Sequence, residues 1–551
     1  MSVAFVQGGH LVARALKAEG IDHLFTLCGG HIQMIYDGCL SEGVRVVDTR
    51  HEQSAGHAAD GWARVTGKPG VAAVTAGPGV TDVVTAVANA QRAQVPMVVI
   101  GGQGARTLSQ FGGQDRGSLQ DMNHVELMRP VSKWAVSVPE TRRLQEYMQT
   151  AFRVATTGVP GPVFLEMPLD VLFLGCDDSE VVHYAGYRSE AKPAGDPVYL
   201  DRAAIALAAA KRPMLIVGSQ WRWSSQRQGL DELLQVAPMP VFVNGMARGA
   251  LPPEHPCLFT RCRKDALAAA DVVVVFGTPL DFRLGYGDAI PAEAKLIQVD
   301  LDGAEIGRNR TVDLGIVGDS GLVLAGLAAR LKGRAPDTAD WLNQVREHEA
   351  RRVGKMRQEM EVASDPINPL YLCSRLNRFV GERTIVVGDG GDFVATAAYV
   401  LKVRGVGSWM DPGPLGTLGV GPGYAMAAKL AKPDHRVILV SGDGSFGLNG
   451  FEFETMARHG IKVTCVIGND AAWTQIRRGQ IEMYGEERAV ATALRHTRYD
   501  LVAEGLGAHG EHVQRAQDID AALDRAFAAP GPAVVNVEIG ASEFRKGALA
   551  V

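Results

Sequence analysis

The chain has 551 residues, 46% of them hydrophobic and 21% charged, which gives room for three or four domains and excludes a disordered composition. Lys and Arg number 56 against 61 Asp and Glu, and the net charge of −5 excludes the basic excess of a general nucleic-acid binder. No apolar run reaches the roughly 18 residues needed to cross a bilayer.

The N-terminal stretch MSVAFVQGGHLVARALKAEG reads as an amphipathic helix, not a signal peptide. Seven scattered cysteines without a C-x-x-C suggest neither a disulfide framework nor a zinc site, so a cytoplasmic location is expected. Next come VAAVTA (71–76), VPMVVIGG (95–102) and GPVFLEMP (161–168), which look like buried parallel strands. The helical periodicity of TDVVTAVANAQRAQ between the first two completes a β-α-β unit. The texture returns at RPMLIVGS, DVVVVFGTP and AKLIQVDLD, then at RTIVVGDGG, HRVILVSGDGS and IKVTCVIGND.

The expected fold class is therefore α/β, with three consecutive parallel-sheet domains at 1–190, 191–355 and 356–540 and a tail or lid at 541–551. GYRSEAKPAGDPVYL (186–200) reads as a linker. The charged helix DWLNQVREHEARRVGKMRQEM, closed by SDPINP, separates the second domain from the third.

The most informative segment is Gly442-Asp443-Gly444-Ser445, directly after the strand RVILVS. A strand entering a glycine-rich turn and a helix offers backbone N–H groups to a phosphate. After a helical stretch, GLNGFEFETMARHG, the strand IKVTCVIG ends in Asn469-Asp470-Ala471-Ala472-Trp473. Adjacent parallel strands bring Asp443 and Asp470 to one sheet edge, where α/β ligands bind. Two carboxylates and a backbone carbonyl suit Mg²⁺, which takes its remaining ligands from phosphate and water. Taken singly, each aspartate also reads as a turn or helix-capping residue.

The segment resembles the signature of the thiamine-diphosphate (ThDP) enzymes: GDG, some 25 residues, then N-N. The resemblance implies Asp443, Asp470 and the Ala472 carbonyl as metal ligands, with Trp473 beside the cofactor. Asp470 stands where the family usually has Asn, and Asn469 is the alternative ligand one position earlier. The stretch DTRHEQSAGHAADGWAR (48–64) is similar to the family's R-H-E-x-x-A-x-x-A-x-G-x-A-R, which implies Glu52 as the carboxylate that activates the aminopyrimidine. Burial without a cation would raise its pKa. TAGPG (75–79) with Pro78, Asn89 in the helix that follows, the strand end Gly391-Asp392, and PLGTLG with Gly416 and the bulky Leu418 resemble further cofactor contacts.

The order of domains resembles acetolactate synthases and oxalyl-CoA decarboxylases. Within that group, the tail NVEIGASEFRKGALAV and the segments Thr26–His31 and Gly468–Trp473 are similar to bacterial 2-hydroxyacyl-CoA lyases. The implied substrate is a short or branched 2-hydroxyacyl-CoA such as 2-hydroxyisobutyryl-CoA, cleaved reversibly to formyl-CoA and a ketone or aldehyde. The implied assembly is a homodimer or homotetramer with sites between subunits. His31 and Gln120 would face substrate, and Arg545 and Lys546 would meet the phosphates of coenzyme A. Tyr484 and Trp473 are candidates for the pocket wall, and His57 and His124 read as packing or hydrogen-bonded residues. In the middle domain, Asp300 and Asp319 are compatible with an ADP ribose, while Gly-Ser-Gln-Trp-Arg-Trp (218–223) is no proper dinucleotide fingerprint, so a purely structural domain fits equally. Two other readings stand beside the lyase: an acetolactate synthase-like carboligase, and a silent scaffold of the same fold. Glu52 and Asp443, both present, argue against the scaffold.

Overall fold

The computed structural model describes residues 5–109, 116–540 and 544. A short antiparallel ribbon joins β1 (Phe5–Gln7) to β8 (Gly175–Asp177). Between them lies the first parallel sheet: β2 (His23–Thr26), β3 (Arg45–Asp48), β4 (Gly70–Val74), β5 (Met97–Gln103), β6 (Trp134–Ser137) and β7 (Pro162–Pro168), in the order β3-β2-β4-β5-β7-β6. The middle sheet holds β9 (Pro213–Val217), β10 (Val241–Val243), β11 (Val272–Phe276), β12 (Lys295–Asp300) and β13 (Leu314–Val317), in the order β10-β9-β11-β12-β13. The third sheet holds β14 (Thr384–Asp389), β15 (Trp409–Met410), β16 (Arg436–Gly442), β17 (Thr464–Asn469), β18 (His509–Val513) and β19 (Ala533–Glu538), in the order β15-β14-β16-β17-β19-β18.

All pairs within these three sheets are parallel, and their central strands are continuous buried apolar runs because helices cover both faces. The strand orders reverse between β2 and β4, β9 and β11, and β14 and β16, and the first and third sheets turn back once more at their far edges, where β7 lies inside β6 and β19 inside β18. In doubly wound sheets ligands bind beyond the carboxyl ends of the strands at such reversals.

The first and third domains meet through two helices rich in small residues, Glu52–Thr66 and Gly421–Ala431. Gly61 lets the backbones approach closely: a Cβ there would lie 2.8 Å from the Tyr424 Cα. Between them sits a buried polar cluster. The Arg64 Nε donates to Asp60 at 2.6 Å, and the Tyr424 hydroxyl donates to Asp60 Oδ2 at 2.6 Å. Arg64 also donates to the Asp411 carbonyl at 2.6 Å.

Two local expectations change. The linker gives way to helix at Pro197, not after 200, because Asp196 caps the Val198 N–H at 2.8 Å and proline opens the first turn. The single helical stretch after GDG is two helices, Asp443–Asn449 and Glu452–His459, separated at Gly450-Phe451. Among the described residues no helix is long and apolar enough to cross a membrane.

Candidate active site

A cavity of about 510 Å³ opens at the reversal of the third sheet. It gathers the ends of β14 (Gly391, Asp392), β16 (Gly442–Ser445) and β17 (Gly468, Asp470), the turn Pro414–Leu418, and Phe282 of the middle domain. Ala472, Trp473, Thr474, Gln475 and Ile476 complete the wall. Trp473 fits only because residue 444 is glycine: a Cβ there would lie 2.5 Å from the indole.

Asp443 is 2% exposed. Its Oδ1 accepts the Gly444 N–H at 2.9 Å, while its Oδ2 is buried without a hydrogen-bond partner. Burial, then the negative charge of Asp470, push its pKa up to about 7. Burial also raises Asp470, against a hydrogen bond from the Thr474 hydroxyl. Two buried carboxylates with raised pKa values, the first raised further by the second and carrying an orphaned oxygen, are what a divalent cation would neutralise. Among the described residues no third His, Cys, Asp or Glu joins them, which suits an ion that draws on carbonyl, phosphate and water.

The turn at 470–473 is held in one shape. Ala471 has φ +55°, a conformation that costs a residue with a Cβ about 1–2 kcal/mol. The Leu494 N–H to the Ala471 carbonyl (2.6 Å) and the Trp473 N–H to the Thr492 carbonyl (2.8 Å) hold it there. The backbone N–H of Ala472 faces both carboxylates. Asn469 is no alternative ligand, because its side chain is buried in the sheet, donating to Asn536 at 3.1 Å and to the Thr497 carbonyl at 3.2 Å.

Two polar residues that the motifs did not indicate shape this cavity. Asp389, at the end of β14, is fully buried and accepts the N–H groups of Gly419 (3.0 Å) and Gly421 (2.8 Å), clamping the turn that presents Leu418. Arg478 donates to Asp392 at 2.9 Å, so that carboxylate enters the site already paired. Neither left a local signal, since each partner lies 30 or more positions away.

In the first domain, His31, Pro78 and Gln120 gather at the reversal between β2 and β4, while Glu52 follows the edge strand β3. Glu52 opens its helix 7% exposed, and among the described residues no Lys or Arg pairs with it. Burial, followed by the nearby charge of Asp82, raises its pKa against its own backbone N–H. His31 Nδ1 lies 3.1 Å from the Thr75 hydroxyl, and burial lowers its pKa. Gln120, at φ +61°, packs against Gly77, whose own φ of +59° precedes the exposed Pro78 at the start of a helix. His124 holds this turn: its Nε2 accepts the Gly77 N–H at 2.8 Å, and its Nδ1 lies 3.0 Å from Glu166. None of Glu52, His31, Pro78 or Gln120 lines the third-domain cavity of the same chain.

Other expectations are corrected by burial. Asn89 is 0% exposed and donates to Asp60 (3.1 Å) and Tyr424 (2.9 Å), so its side chain belongs to the interdomain cluster and cannot reach a cofactor. Asp319 caps the helix Ser320–Leu331 and accepts from Ser224, which leaves it 2% exposed. Asp300 is fully buried, accepting from Gln220 at 2.7 Å and from the Asp302 N–H at 2.8 Å. Asp319 is spent on its cap and on Ser224. Asp300 makes both its bonds through Oδ1 while its Oδ2 is sealed from solvent without a partner, so neither side chain is exposed to a ribose. Tyr484 is 62% exposed and off the cavity wall. His57, by contrast, packs as expected, edge-on to Tyr424 and held near pKa 4 by burial. Arg545 and Lys546 lie outside the described residues.

The family's models match all three domains: "Thiamine pyrophosphate enzyme, N-terminal TPP binding domain" at residues 6–127, its "central domain" at 200–327, and its "C-terminal TPP binding domain" at 389–537. The chain is 39% identical over 535 residues to the acetolactate synthase large subunit of Mycobacterium tuberculosis, covering 97% of this chain and 95% of that one. The chain belongs to the thiamine pyrophosphate enzymes. It is also 39% identical to 2-hydroxyacyl-CoA lyase 2 of Bos taurus, over 99% of this chain and 92% of the relative. The human 2-hydroxyacyl-CoA lyase 2 is 38% identical over the same shares. Glu52 falls within the N-terminal TPP-binding domain match, and Asp443 and Asp470 within the C-terminal one.

Proposed function

We propose that the protein is a ThDP- and Mg²⁺-dependent carbon–carbon lyase that cleaves a short or branched 2-hydroxyacyl-CoA. The observation that carries its metal- and cofactor-binding part is the orphaned Oδ2 of Asp443 beside Asp470, in a cavity whose wall also includes Leu418, Trp473, Phe282 and Ile476, and the lyase relatives favour the substrate. Asp443 and Asp470 would hold Mg²⁺ and, through it, the diphosphate, with the Ala472 turn beside them. Bound ThDP supplies the electron sink for the breaking C–C bond. Glu52 would exchange a proton at its carboxylate, which burial keeps able to do so. His31 and Gln120 would contact substrate at the other side. For 2-hydroxyisobutyryl-CoA the bond between the carbinol carbon and the thioester carbonyl breaks; the hydroxyl proton leaves as the ketone forms, and the acyl carbon gains a hydrogen, giving acetone and formyl-CoA.

The site is proposed to form between two copies of the chain, with Glu52 of one copy facing the cavity of the other. Supporting this, Leu448 and Phe451, just beyond the GDG segment, are 54% and 65% exposed. Mixing Glu52→Ala with Asp443→Ala chains would then restore activity that neither has alone. Seven unpaired cysteines fit a proposed location in a reducing cytoplasm.

A second reading, a carboligase acting on pyruvate, is favoured by the mycobacterial relative at equal identity. Product analysis with ThDP and Mg²⁺ separates the two. Formyl-CoA and acetone from 2-hydroxyisobutyryl-CoA, absent with Glu52→Ala, are expected. Acetolactate from pyruvate with the CoA ester untouched would overturn the lyase in favour of the carboligase.

A further inference from the structure

A second cleft, of about 400 Å³, lies where all three domains meet and shares no residue with the cavity above. Thr66 and Gly67 come from the first domain, Arg222, Trp223 and Arg227 from the middle one, and Lys432 from the third, with Lys192 of the connecting stretch completing the rim. Among the described residues four cations line it and no carboxylate does. In a chain of net charge −5, that is a local concentration of positive charge and not a general property of the surface.

Arg222 is the centre of the feature. It is only 4% exposed, yet no carboxylate among the described residues pairs with it. Its Nε donates to the Arg64 carbonyl at 2.8 Å, and its two Nη groups have no acceptor among the described residues. They lie against Gly67, where a Cβ would come within 3.2 and 3.3 Å of them. Its guanidinium stands 5.3 Å over the Trp223 ring, whose Nε1 is itself buried without an acceptor. Burial and the like charge of Arg227 lower Arg222 to about pKa 10. Buried charges in folded proteins are normally paired, because a lone one forfeits its hydration without return. A planar guanidinium with both Nη groups free matches the oxygens of a phosphate, and flanking lysines add point charges.

We propose that this three-domain cleft is a binding site for a small phosphorylated anion, held by Arg222 with Arg227, Lys192 and Lys432. Its position makes the anion a tie between the three domains, separate from the Asp443–Asp470 pair and from Asp300 and Asp319. Inorganic phosphate and diphosphate share the required chemistry; a larger organic phosphate would add contacts to Trp223.

The test is thermal unfolding and calorimetric titration of the full-length protein with inorganic phosphate or diphosphate, in EDTA, against chloride at matched ionic strength. Saturable stabilisation is expected at millimolar anion. Arg222→Met should abolish it and raise the melting temperature without anion, since a lone buried charge is gone. Asp443→Asn should leave the response unchanged. Should Arg222→Met fold poorly, the surface pair Arg227→Ala/Lys432→Ala should raise the half-saturating phosphate about tenfold or more. A stronger response to diphosphate than to phosphate would mark an extended polyphosphate, and equal responses a single phosphoryl group. No response beyond chloride, a response that survives Arg222→Met or the surface pair, or one lost in Asp443→Asn would overturn the proposal.

Discussion

The Glu452 carboxylate, in the third domain, accepts the backbone N–H of Arg50, in the first, at 2.9 and 3.2 Å. Glu452 is 1% exposed, and the Thr455 hydroxyl donates to it at 2.8 Å. The bond fixes the chain two residues before Glu52, so one domain sets the entry angle of the helix that opens with Glu52, the carboxylate proposed to activate the cofactor. Replacing Glu452 by Leu leaves that backbone free to shift, and misplacement near 1 Å is enough to slow a positioned reaction by about 100-fold. Turnover is expected to fall by at least tenfold with little change in KM. Glu452→Gln, which keeps an accepting oxygen, should recover most of it. Equal activity in all three proteins would remove Glu452 from the positioning of Glu52.

How much of this was legible in the sequence depends on how local the signal is. The Asp443 and Asp470 segments were, because each is a strand end followed by its own turn within a few residues. That Glu52 opens a helix after a strand was, because the resemblance of residues 48–64 to the family stretch put it at the start of an Ala/Gly-rich helix. Asp389, Glu452 and Arg478 were not: each works through a partner tens or hundreds of positions away, and nothing beside it in the chain records that partner. Asn89 and Asp319 show the opposite error. Matching a position to a pattern says nothing about solvent access, and both side chains spend their hydrogen bonds inside the protein. The edge strands β6, β15 and β18 escaped because they are short or polar, as edges often are.

The buried pair Asp60–Arg64 offers a stability prediction. Both side chains are at most 2% exposed, and Asp60 also accepts from Asn89 and Tyr424. Removing one member strands the other charge in the interior, which costs about 3–5 kcal/mol. Asp60→Asn should therefore lower stability by several kcal/mol in denaturant unfolding. Tyr424→Phe, which removes one neutral donor and keeps the ring, should cost about 1 kcal/mol. Similar small losses in both would mean that the cluster is wetter than its burial implies.

The paired aspartates predict different outcomes for two substitutions of similar size. Asp443→Ala removes the carboxylate with the orphaned oxygen and should abolish Mg²⁺-dependent cofactor binding. Asp470→Asn keeps an oxygen ligand and relieves the repulsion on Asp443, so it should bind within about tenfold of the parent affinity. Trp473, on the cavity wall, supplies the readout: its fluorescence should change when Mg²⁺ and ThDP are added together, and EDTA should reverse the change. Full binding by Asp443→Ala would place the metal elsewhere.

Asp389 predicts how stability should vary with pH. Burial holds its carboxyl at about pKa 6, against 3.8 in the ordinary state, despite the two N–H groups it accepts. Below 3.8 the group is protonated in both native and unfolded chains and contributes no difference. Between 3.8 and about 6 the native protein keeps a proton that the unfolded chain releases, so stability falls as the pH rises through this window. Above it the whole penalty is carried, about 3 kcal/mol from the size of the shift. Asp389→Asn has no charge to bury, and its unfolding free energy should lack this part of the pH slope. The amide oxygen cannot match the carboxylate as acceptor for both Gly419 and Gly421, so the Leu418 turn should loosen and cofactor affinity fall even where stability rises. Parallel unfolding curves for parent and variant from pH 4 to pH 7 would show instead that Asp389 is ionised throughout, its two backbone donors outweighing its burial.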